Sequence, residues 1–512
     1  MEVILSLASV ALAIVLLVLW FVQLKTSSTD KTKQKKQLPP GPWELPIVGS
    51  LHHVVFSGMP PHRTLTELSR RHGPVMFLKL GEVPTVVVSS AETAEVVMKS
   101  KDLLFASRPR SVTLDVMGHG SGMGIIFAPY GDGWQQARKV CVVELLSAKQ
   151  VKRMEGIRAK EVENLLRSIT ASSGGATVNL TEMVSALTND IISRVVFGGT
   201  CTRQDEYLRE LEKVTELIGG FSLVDLFPSW RLVRQLSSGE RQMRRSYGRI
   251  QRIIADIIER RRKELSTMRA AGCGEENLLD VLLRLHEEDS LAHTLTLEEI
   301  GVIIFDMFAG ATETSGITVE WAMSELLKNR ETMKKAQLEL RRVLGQQRAV
   351  ITNKDLTDLH YMRMVIKEAL RLHPPAPLLP RRAREDCEIM GYKILKGTNV
   401  HVNISAISRD GRHWDAPEAF KPERFENSSI DYKGAHFEFT PFGAGRRQCP
   451  GMQFGTSTVE IALANLLYHF DWGIPNGSSP ELMDMSEKFG INVRRMFNLQ
   501  LTAIPYVHSK AM

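Results

Sequence analysis

The chain has 512 residues, of which 43% are apolar and 24% charged, so it is long enough to enclose a cofactor-sized cavity and too apolar to be disordered. Its formal charge of +7 comes from basic residues spread along the chain, which argues against a nucleic acid partner. The five cysteines lie far apart and form no close pair of the kind found in disulfide frameworks or zinc sites, so a reducing compartment fits best.

The first predicted element is an apolar segment at the N-terminus. Residues 3–24 contain no charged side chain, and as a helix they would span about 33 Å, enough to cross a bilayer. Five lysines follow it: Lys25, Lys31, Lys33, Lys35 and Lys36. A cleaved secretory signal is the alternative, but the apolar run is too long and lacks a leading positive segment. We predict a transmembrane signal anchor at residues 1–24, a basic, proline-rich linker at 25–42, and a cytosolic catalytic domain at 43–512.

The catalytic domain is predicted to be mainly α with a minor β portion. Residues 75–80 and 85–90 are β-rich runs around a turn, which predicts a hairpin. From about residue 135 to 372, apolar residues recur mostly at helical spacing. Two more strands are predicted after this region, at residues 399–404 and near 498–504.

The most informative segment is residues 442–451, with the pattern Phe-x-x-Gly-x-Arg-x-Cys-x-Gly. Glycines let the backbone approach a flat ligand closely, and Pro450 fixes a turn before an apolar helix predicted at residues 452–470. A thiolate at Cys449 would lie at the start of this helix. There the N–H groups, the helix dipole and Arg447 are expected to lower its pKa. An isolated cysteine is more often a buried small side chain, but five residues at set spacing favour a ligand.

This segment resembles the heme-binding loop of the cytochrome P450 family, and the resemblance extends along nearly the whole chain after the anchor. It implies the cytochrome P450 fold behind a single N-terminal transmembrane helix. It also implies heme (iron protoporphyrin IX) with Cys449 as the metal ligand. The residues that the resemblance assigns to cofactor binding are Trp134, Arg138, Arg381, Phe442, Arg447, Cys449 and Gly451. Trp134 and the arginines would bind the heme propionates, because buried carboxylates need such donors.

A structural ion triad is also implied by the resemblance. Glu368 and Arg371 lie one helical turn apart and are predicted to pair with Arg424, which would steady the heme pocket. The Glu-x-x-Arg spacing alone carries little information. It recurs at Glu67/Arg70, Glu259/Arg262 and Glu339/Arg342, where we expect ordinary helix pairs at the surface.

A long apolar helix at residues 300–327 is predicted to be interrupted by the polar stretch 310–315. In the family this stretch opens a groove for dioxygen, and an acid and an alcohol relay protons there. The matching residues are Glu313 and Thr314, which we assign as catalytic. A core helix with a polar kink is the alternative. Many relatives have glycine where this chain has Ala311, so the groove is expected to differ in shape.

The substrate is predicted to be an apolar, uncharged small molecule, because the segments that would line the pocket are apolar. The predicted pocket residues are Phe127, Ile303, Met307, Ala311, Leu378, Leu379 and Ile491. The motifs at residues 39–42 and 320–325 resemble plant microsomal members that oxidise sesquiterpenes and diterpenes in defence metabolism. A terpenoid is therefore the predicted substrate, and a non-terpenoid plant metabolite the alternative.

The predicted activity is a monooxygenase reaction with dioxygen at the endoplasmic reticulum membrane. No flavin or nicotinamide domain is apparent, so the resemblance to microsomal members implies electrons from an NADPH-dependent reductase. That partner would dock on the basic face near the cysteine loop. Two other functions stay open: a heme-thiolate isomerase or dehydratase that does not use dioxygen, and a membrane-tethered heme-binding sensor.

Overall fold

Helices dominate the part of the chain that the computed structural model describes, which is residues 37–117, 124–172, 177–201, 203–219, 222–269, 276–288, 294–345, 348–477 and 479–506. The predicted anchor and most of the predicted linker lie outside these residues. The helices are α1 (Leu51–Val55), α2 (Pro61–His72), α3 (Ala91–Glu95), α4 (Val112–Val116), α5 (Asp132–Lys139), α6 (Ala148–Arg153), α7 (Glu155–Ser172), α8 (Leu180–Phe197), α9 (Gln204–Ile218), α10 (Leu223–Leu226), α11 (Arg231–Leu236), α12 (Gly239–Arg269), α13 (Leu278–Glu288), α14 (Leu297–Lys328), α15 (Arg330–Leu344), α16 (His360–Leu372), α17 (Ile404–Ile407) and α18 (Met452–His469). The prediction of a mainly α fold is confirmed.

Helix α12 shows how the apolar periodicity of the sequence becomes buried surface. Ile250, Ile254 and Ile258 recur every four residues, and each is at most 4% exposed. Arg252, between the first two isoleucines, and Arg260, after the last one, lie at the surface. Burial of side chains of this size contributes about 1.5 to 3 kcal/mol each, so packing of this face stabilises the helix.

Helix α14 is the longest described helix and runs through the core. A capping box starts it: the Thr296 hydroxyl accepts from the Glu299 N–H at 3.2 Å, and the Glu299 carboxylate accepts from the Thr296 N–H at 2.8 Å. The helix is long and apolar enough to cross a membrane, but most of that surface is buried in the protein. The predicted interruption at 310–315 is wrong, because α14 is continuous from Leu297 to Lys328.

The strands of the described chain form four small sheets. They are β1 (Val75–Leu80), β2 (Val83–Val88), β3 (Thr177–Asn179), β4 (Leu378–Arg382), β5 (Cys387–Ile389), β6 (Tyr392–Ile394), β7 (Asn399–Asn403), β8 (Phe470–Gly473), β9 (Glu487–Lys488), β10 (Arg494–Arg495) and β11 (Gln500–Pro505). The four-stranded sheet has the order β1-β2-β7-β4, in which β2 and β7 are parallel. The strands predicted near 399 and 498 are thus present as β7 and β11.

The predicted hairpin is present with a shorter turn. β2 begins at Val83, so Gly81 and Glu82 form the turn between β1 and β2. Gly81 has φ +64°, and a Cβ there would lie 2.4 Å from the Leu226 carbonyl oxygen, so a larger residue would not fit. The Glu82 N–H donates to the same carbonyl at 2.8 Å. The turn therefore holds the end of α10 against the sheet.

The predicted ion triad is buried at the end of α16. Arg371 donates two hydrogen bonds to Glu368, both 2.8 Å long, and both side chains are fully buried. Arg424 donates to the same carboxylate at 3.1 Å. Arg371 also donates to the carbonyls of Ser408 and Pro417, at 2.7 Å each. The triad thereby fixes the chain that leads to the cysteine loop, and loss of one partner would cost about 3 to 5 kcal/mol.

The other Glu-x-x-Arg pairs behave differently from one another. Glu67/Arg70 and Glu259/Arg262 are exposed ion pairs, as predicted. The prediction for Glu339 is wrong, because its carboxylate accepts from the first backbone N–H groups of α16, those of His360, Tyr361 and Met362. These N–H groups lack partners within their own helix, and the acidic side chain of α15 satisfies them.

Candidate active site

The cysteine loop is a tight turn that places Cys449 just before α18. The Cys449 N–H donates to the Phe442 carbonyl at 2.9 Å and closes the loop. Gly443 and Gly445 have φ of +66° and +67°. A Cβ at Gly445 would lie 2.1 Å from the Met98 carbonyl oxygen, so this position requires glycine. The local sequence pattern therefore determines the backbone path that presents the sulfur.

Cys449 faces an apolar cavity of about 300 Å³ between the loop, α14 and β4. The cavity brings together most of the predicted site residues: Phe127, Arg138, Met307, Ala311, Thr314, Leu378, Leu379, Arg381, Phe442, Arg447, Cys449, Gly451 and Ile491. Ile303 was predicted to line it, but this side chain is fully buried in the helical core. The lining part of α14 begins at Phe305, so the cavity ends before the turn that carries Ile303.

Four arginines line the cavity and are called the arginine cluster here: Arg108, Arg138, Arg381 and Arg447. Burial lowers the pKa of Arg381 to about 10, and burial together with repulsion from Arg381 and Arg138 lowers that of Arg447 to about 9. Within the described chain, Nε and Nη2 of Arg381 have no hydrogen-bond partner. Buried cations with free donors require anionic partners, so the arginine cluster fits the two propionates of a heme.

Trp134 supports the arginine cluster from outside the cavity. Its indole N–H donates to the Ile125 carbonyl at 3.1 Å, and the Arg447 guanidinium lies over its ring at 4.1 Å. Arg138, one helical turn further along α5, donates to the Gln448 carbonyl at 2.8 Å. The structure thus places Trp134 against Arg447 and uses Arg138 to hold the cysteine loop. A direct contact from Trp134 to a propionate stays a prediction.

The surroundings of Cys449 do not lower the pKa of its thiol in the protein alone. Much of the residue's surface is open, but it faces the cavity, and the protein packed around it disfavours a charge. This burial raises the pKa of Cys449, although the Gly451 N–H and Arg138 oppose it. The predicted lowering is therefore wrong for these residues by themselves. Coordination by iron would itself favour the thiolate, because a metal deprotonates its thiol ligand.

The two predicted catalytic residues point to different spaces. The Thr314 hydroxyl donates to the Gly310 carbonyl at 2.7 Å within the unbroken helix, and Thr314 lines the cavity. Glu313 lines a smaller pocket beside the cavity. Its carboxylate accepts from Thr215 at 3.1 Å and from Asn492 at 2.9 Å. Glu313 and Thr314 are neighbours in the chain, but their side chains bind different partners and no hydrogen bond joins them.

A model of the cytochrome P450 family matches residues 39–497. The chain belongs to the cytochrome P450 family. This membership confirms the predicted cytochrome P450 fold, the thiolate-ligated heme and the monooxygenase activity, whereas the N-terminal transmembrane helix stays a prediction.

Curated relatives are similar to this P450 over almost their whole length. It is 47% identical to desmethyl-deoxy-podophyllotoxin synthase of Sinopodophyllum hexandrum, over 95% of each chain. It is 46% identical to ent-isokaurene C2/C3-hydroxylase of Oryza sativa subsp. japonica, over 96% of each chain. It is 43% identical to 5-epiaristolochene 1,3-dihydroxylase of Nicotiana tabacum, over 98% of this chain and 99% of that one.

Sequence reasoning missed two charged residues of the P450 cavity. Arg108 donates to the Ile126 carbonyl at 2.8 Å and to the Pro380 carbonyl, and burial holds its pKa well below the usual value. Asp306 is buried and accepts from the N–H groups of Ile125 and Ile126, at 2.5 and 3.2 Å. Asp306 is the one carboxylate in the apolar run of α14 between Ile300 and Thr312, which was the available signal for it. Arg108 lies in a loop without a distinguishing pattern.

Proposed function

We propose that this P450 inserts one oxygen atom from dioxygen into an apolar terpenoid, a sesquiterpenoid or diterpenoid of plant defence metabolism. The observation that carries the proposal is the apolar cavity between Cys449 and α14. Among the described residues that line the cavity, the charged ones are the arginine cluster and Asp306, and the other lining residues suit a hydrocarbon skeleton. The rice and tobacco relatives, named as hydroxylases of ent-isokaurene and 5-epiaristolochene, support the terpenoid class.

Residues of the chain divide the work at this site. Cys449 and the arginine cluster would hold the heme, which when bound supplies the iron that activates dioxygen. Thr314 would supply a hydroxyl that donates and accepts protons at the cavity, and Glu313 would supply the protons that Thr314 passes on. Phe127, Leu379 and Ile491 would orient the substrate and exclude water, so that one carbon is presented for oxidation.

Electrons would come from an NADPH-dependent reductase that docks near the cysteine loop. Helix α5 contacts the loop through the Arg138 to Gln448 hydrogen bond, and α6 follows α5 in the chain. Exposed basic side chains lie on the loop and at the ends of these helices: Lys139, Lys149, Lys152, Arg153 and Arg446. Val142 and Val143 are exposed among them, at 40% and 53%. Exposed cations with an apolar centre suit an acidic protein partner, and their charge would mainly speed the encounter.

The protein would be held at the cytosolic face of the endoplasmic reticulum membrane by its predicted anchor. A surface that follows the linker supports this placement. It consists of exposed apolar side chains, called the apolar surface patch here: Trp43, Val55, Phe56, Trp230, Leu232 and Leu236. Helix α11 contributes two of them and has no buried residue. Leu51 and Leu226 belong to one core cluster, so the two halves of the patch lie on one part of the domain.

A terpene panel tests the proposed function. The full chain in membranes, with reductase, NADPH and labelled dioxygen, is expected to convert ent-isokaurene, 5-epiaristolochene or a related hydrocarbon to a product with one labelled oxygen. Product that forms without NADPH would instead establish an isomerase or dehydratase. The relative named for a podophyllotoxin favours a second candidate, a non-terpenoid plant substrate, and conversion of that class alone would reject the terpenoid assignment.

A further inference from the structure

The Glu313 carboxylate lies in a side pocket next to the main cavity. Neighbouring residues on a helix point about 100° apart, and here Thr314 lines the main cavity whereas Glu313 lines the side pocket. The side pocket is lined by Glu313 together with Glu216, Lys488 and Arg494. Three further residues line both spaces and form the wall between them: Thr215, Ile491 and Asn492.

Two side chains of this wall hold the carboxylate. The Asn492 Nδ2 group donates to Oε2 at 2.9 Å, and the Thr215 hydroxyl donates to Oε1 at 3.1 Å. The amide N–H of Asn492 only donates, so it fixes the carboxylate without carrying a proton away. The Thr215 hydroxyl has one proton and also lies 2.9 Å from the Glu212 carbonyl, so two acceptors compete for it. Asn492 is therefore the fixed contact and Thr215 the exchangeable one.

Ion pairs between α9 and the β9–β10 hairpin close the outer side of the side pocket. Lys488 pairs with Glu216 at 2.6 Å, and Arg494 pairs with Glu212 at 2.6 Å. These side chains are about one third to one half exposed, and exposed pairs of this kind are weak and open readily. Burial would lower the pKa of Arg494, but Glu212, Glu313 and Glu216 raise it overall. The Arg494 cation thus lies within the field of the Glu313 carboxylate, at the solvent side.

We propose that Asn492 and Thr215 are positioning residues that hold Glu313 toward the side pocket, where it takes up a proton from solvent before it serves Thr314. This inference deepens the proposed function and rests on the relay role of Glu313 and Thr314. The proton binds a carboxylate oxygen of Glu313. The carboxyl group then turns and gives it to the Thr314 hydroxyl, whose own proton passes into the cavity. Thr314 is neutral again and Glu313 is again a carboxylate.

The positioning residues also connect the proton supply to the substrate. Ile218, one turn after Thr215 on α9, and Ile491, next to Asn492, both line the main cavity. A substrate that fills the cavity therefore contacts the two segments that hold the carboxylate. Loss of either positioning contact is expected to lower the coupling, that is, the fraction of the electrons supplied by NADPH that is used to form product. Substrate binding is expected to change much less.

Matched variants test the positioning role. Asn492→Ala is compared with Asn498→Ala, because the Asn498 amide also donates to a glutamate, Glu182, at 3.4 Å on the surface. Thr215→Val is compared with Thr458→Val, a buried threonine of α18 that donates to the carbonyl of Phe454 in its own helix. With reductase, NADPH and a converted terpene, Asn492→Ala is expected to raise the ratio of hydrogen peroxide to product about tenfold, since it removes a hydrogen bond to a charged group. Thr215→Val is expected to have a smaller effect, and the controls none.

A second readout does not depend on turnover. In hydrogen–deuterium exchange of the heme-loaded resting protein, residues 211–218 and 488–494 are expected to exchange faster in Asn492→Ala, and at the wild-type rate in Asn498→Ala. In a Glu313→Leu background, Asn492→Ala should add nothing further, because its partner is gone. A full effect of Asn492→Ala in that background would overturn the role through Glu313.

The failure of this inference and that of the proposed relay give different results. If Glu313→Gln and Thr314→Ala both form product without extra peroxide, the relay is rejected and the positioning role with it. If these two variants release peroxide while Asn492→Ala and Thr215→Val match their controls in coupling and in exchange, the relay stands and only the positioning role is rejected.

Discussion

Cys449 is the proposed iron ligand, on which the chemistry of this P450 would depend. Its sulfur reaches the cavity from a loop closed by the Cys449 to Phe442 hydrogen bond, and burial by itself disfavours the thiolate. Iron bound by this sulfur would supply the missing stabilisation, because a coordinated thiol loses its proton. Ligation and ionisation of this side chain are therefore expected to occur together.

Replacement of the ligand tests this residue directly. Cys449→Ser is expected to abolish the red-shifted Soret band of the reduced carbon monoxide complex, because a hydroxyl is a much poorer electron donor to iron than a thiolate. The measurement is the difference spectrum of the purified protein. Cys387→Ser, in β5 and away from the cavity lining, is the control and should keep the band. An unchanged band in Cys449→Ser would remove the ligand assignment.

His401 gives the domain a pH-dependent stability. It lies in β7 with Nδ1 buried, and burial lowers its pKa to about 4. Between pH 6.5 and about 4 the unfolded chain therefore binds a proton at this ring while the folded chain does not, so the stability contributed here falls as the pH falls. We expect a loss of about 1 to 2 kcal/mol between pH 7 and pH 5 from this residue.

Denaturant unfolding at both pH values measures this loss. His401→Val should flatten the pH dependence by that amount, whereas His360→Gln, at an exposed position, should keep the wild-type dependence. The comparison uses the difference between two pH values for each variant, so a general change in stability caused by the substitution cancels. Identical dependence in His401→Val and wild type would contradict the assignment.

At the scale of elements, the sequence predicted the features that are determined by residues close together in the chain. The β1–β2 hairpin, the cysteine loop and the Glu368–Arg371 pair each depend on residues within about one turn or one loop of each other, and all three are present. Arg108 and Asn492 could not be predicted in this way, because they reach the site from segments far apart in the chain. Ile303 shows a different limit. Helical spacing predicts which face of α14 carries this residue, but it does not predict where along that face the cavity ends.

The cysteine loop gives a prediction at the same scale. Gly445→Ala places a methyl group 2.1 Å from the Met98 carbonyl oxygen at φ +67°, so the loop must shift away from its packing partner. We expect the variant to retain less heme per chain, measured as the ratio of the heme absorbance to protein. Gly411→Ala is the control, because nothing lies within 4 Å of the added Cβ and its φ is not positive. Full heme content in Gly445→Ala would show that the loop tolerates the shift.

At the scale of the whole molecule, the predicted anchor and the apolar surface patch would be two separate means of membrane contact. Trp43 and Phe56 of the patch lie just after the predicted linker, and they are 63% and 84% exposed. Exposed apolar side chains so close to a membrane anchor would lie in the headgroup region, where their transfer from water is favourable. The domain would then have a fixed orientation at the membrane surface.

Removal of each contact in turn tests this arrangement. Deletion of residues 1–24 is expected to release only part of the protein from washed membranes, because Leu232 and Leu236, 70% and 80% exposed, can still bury their side chains in the interface. The double change Leu232→Glu and Leu236→Glu in the shortened chain should move the remainder to the supernatant with its carbon monoxide spectrum intact. Leu338→Glu, 68% exposed on α15, is the matched control and should not alter the distribution. Complete release by the deletion alone would show that the patch does not contact the membrane.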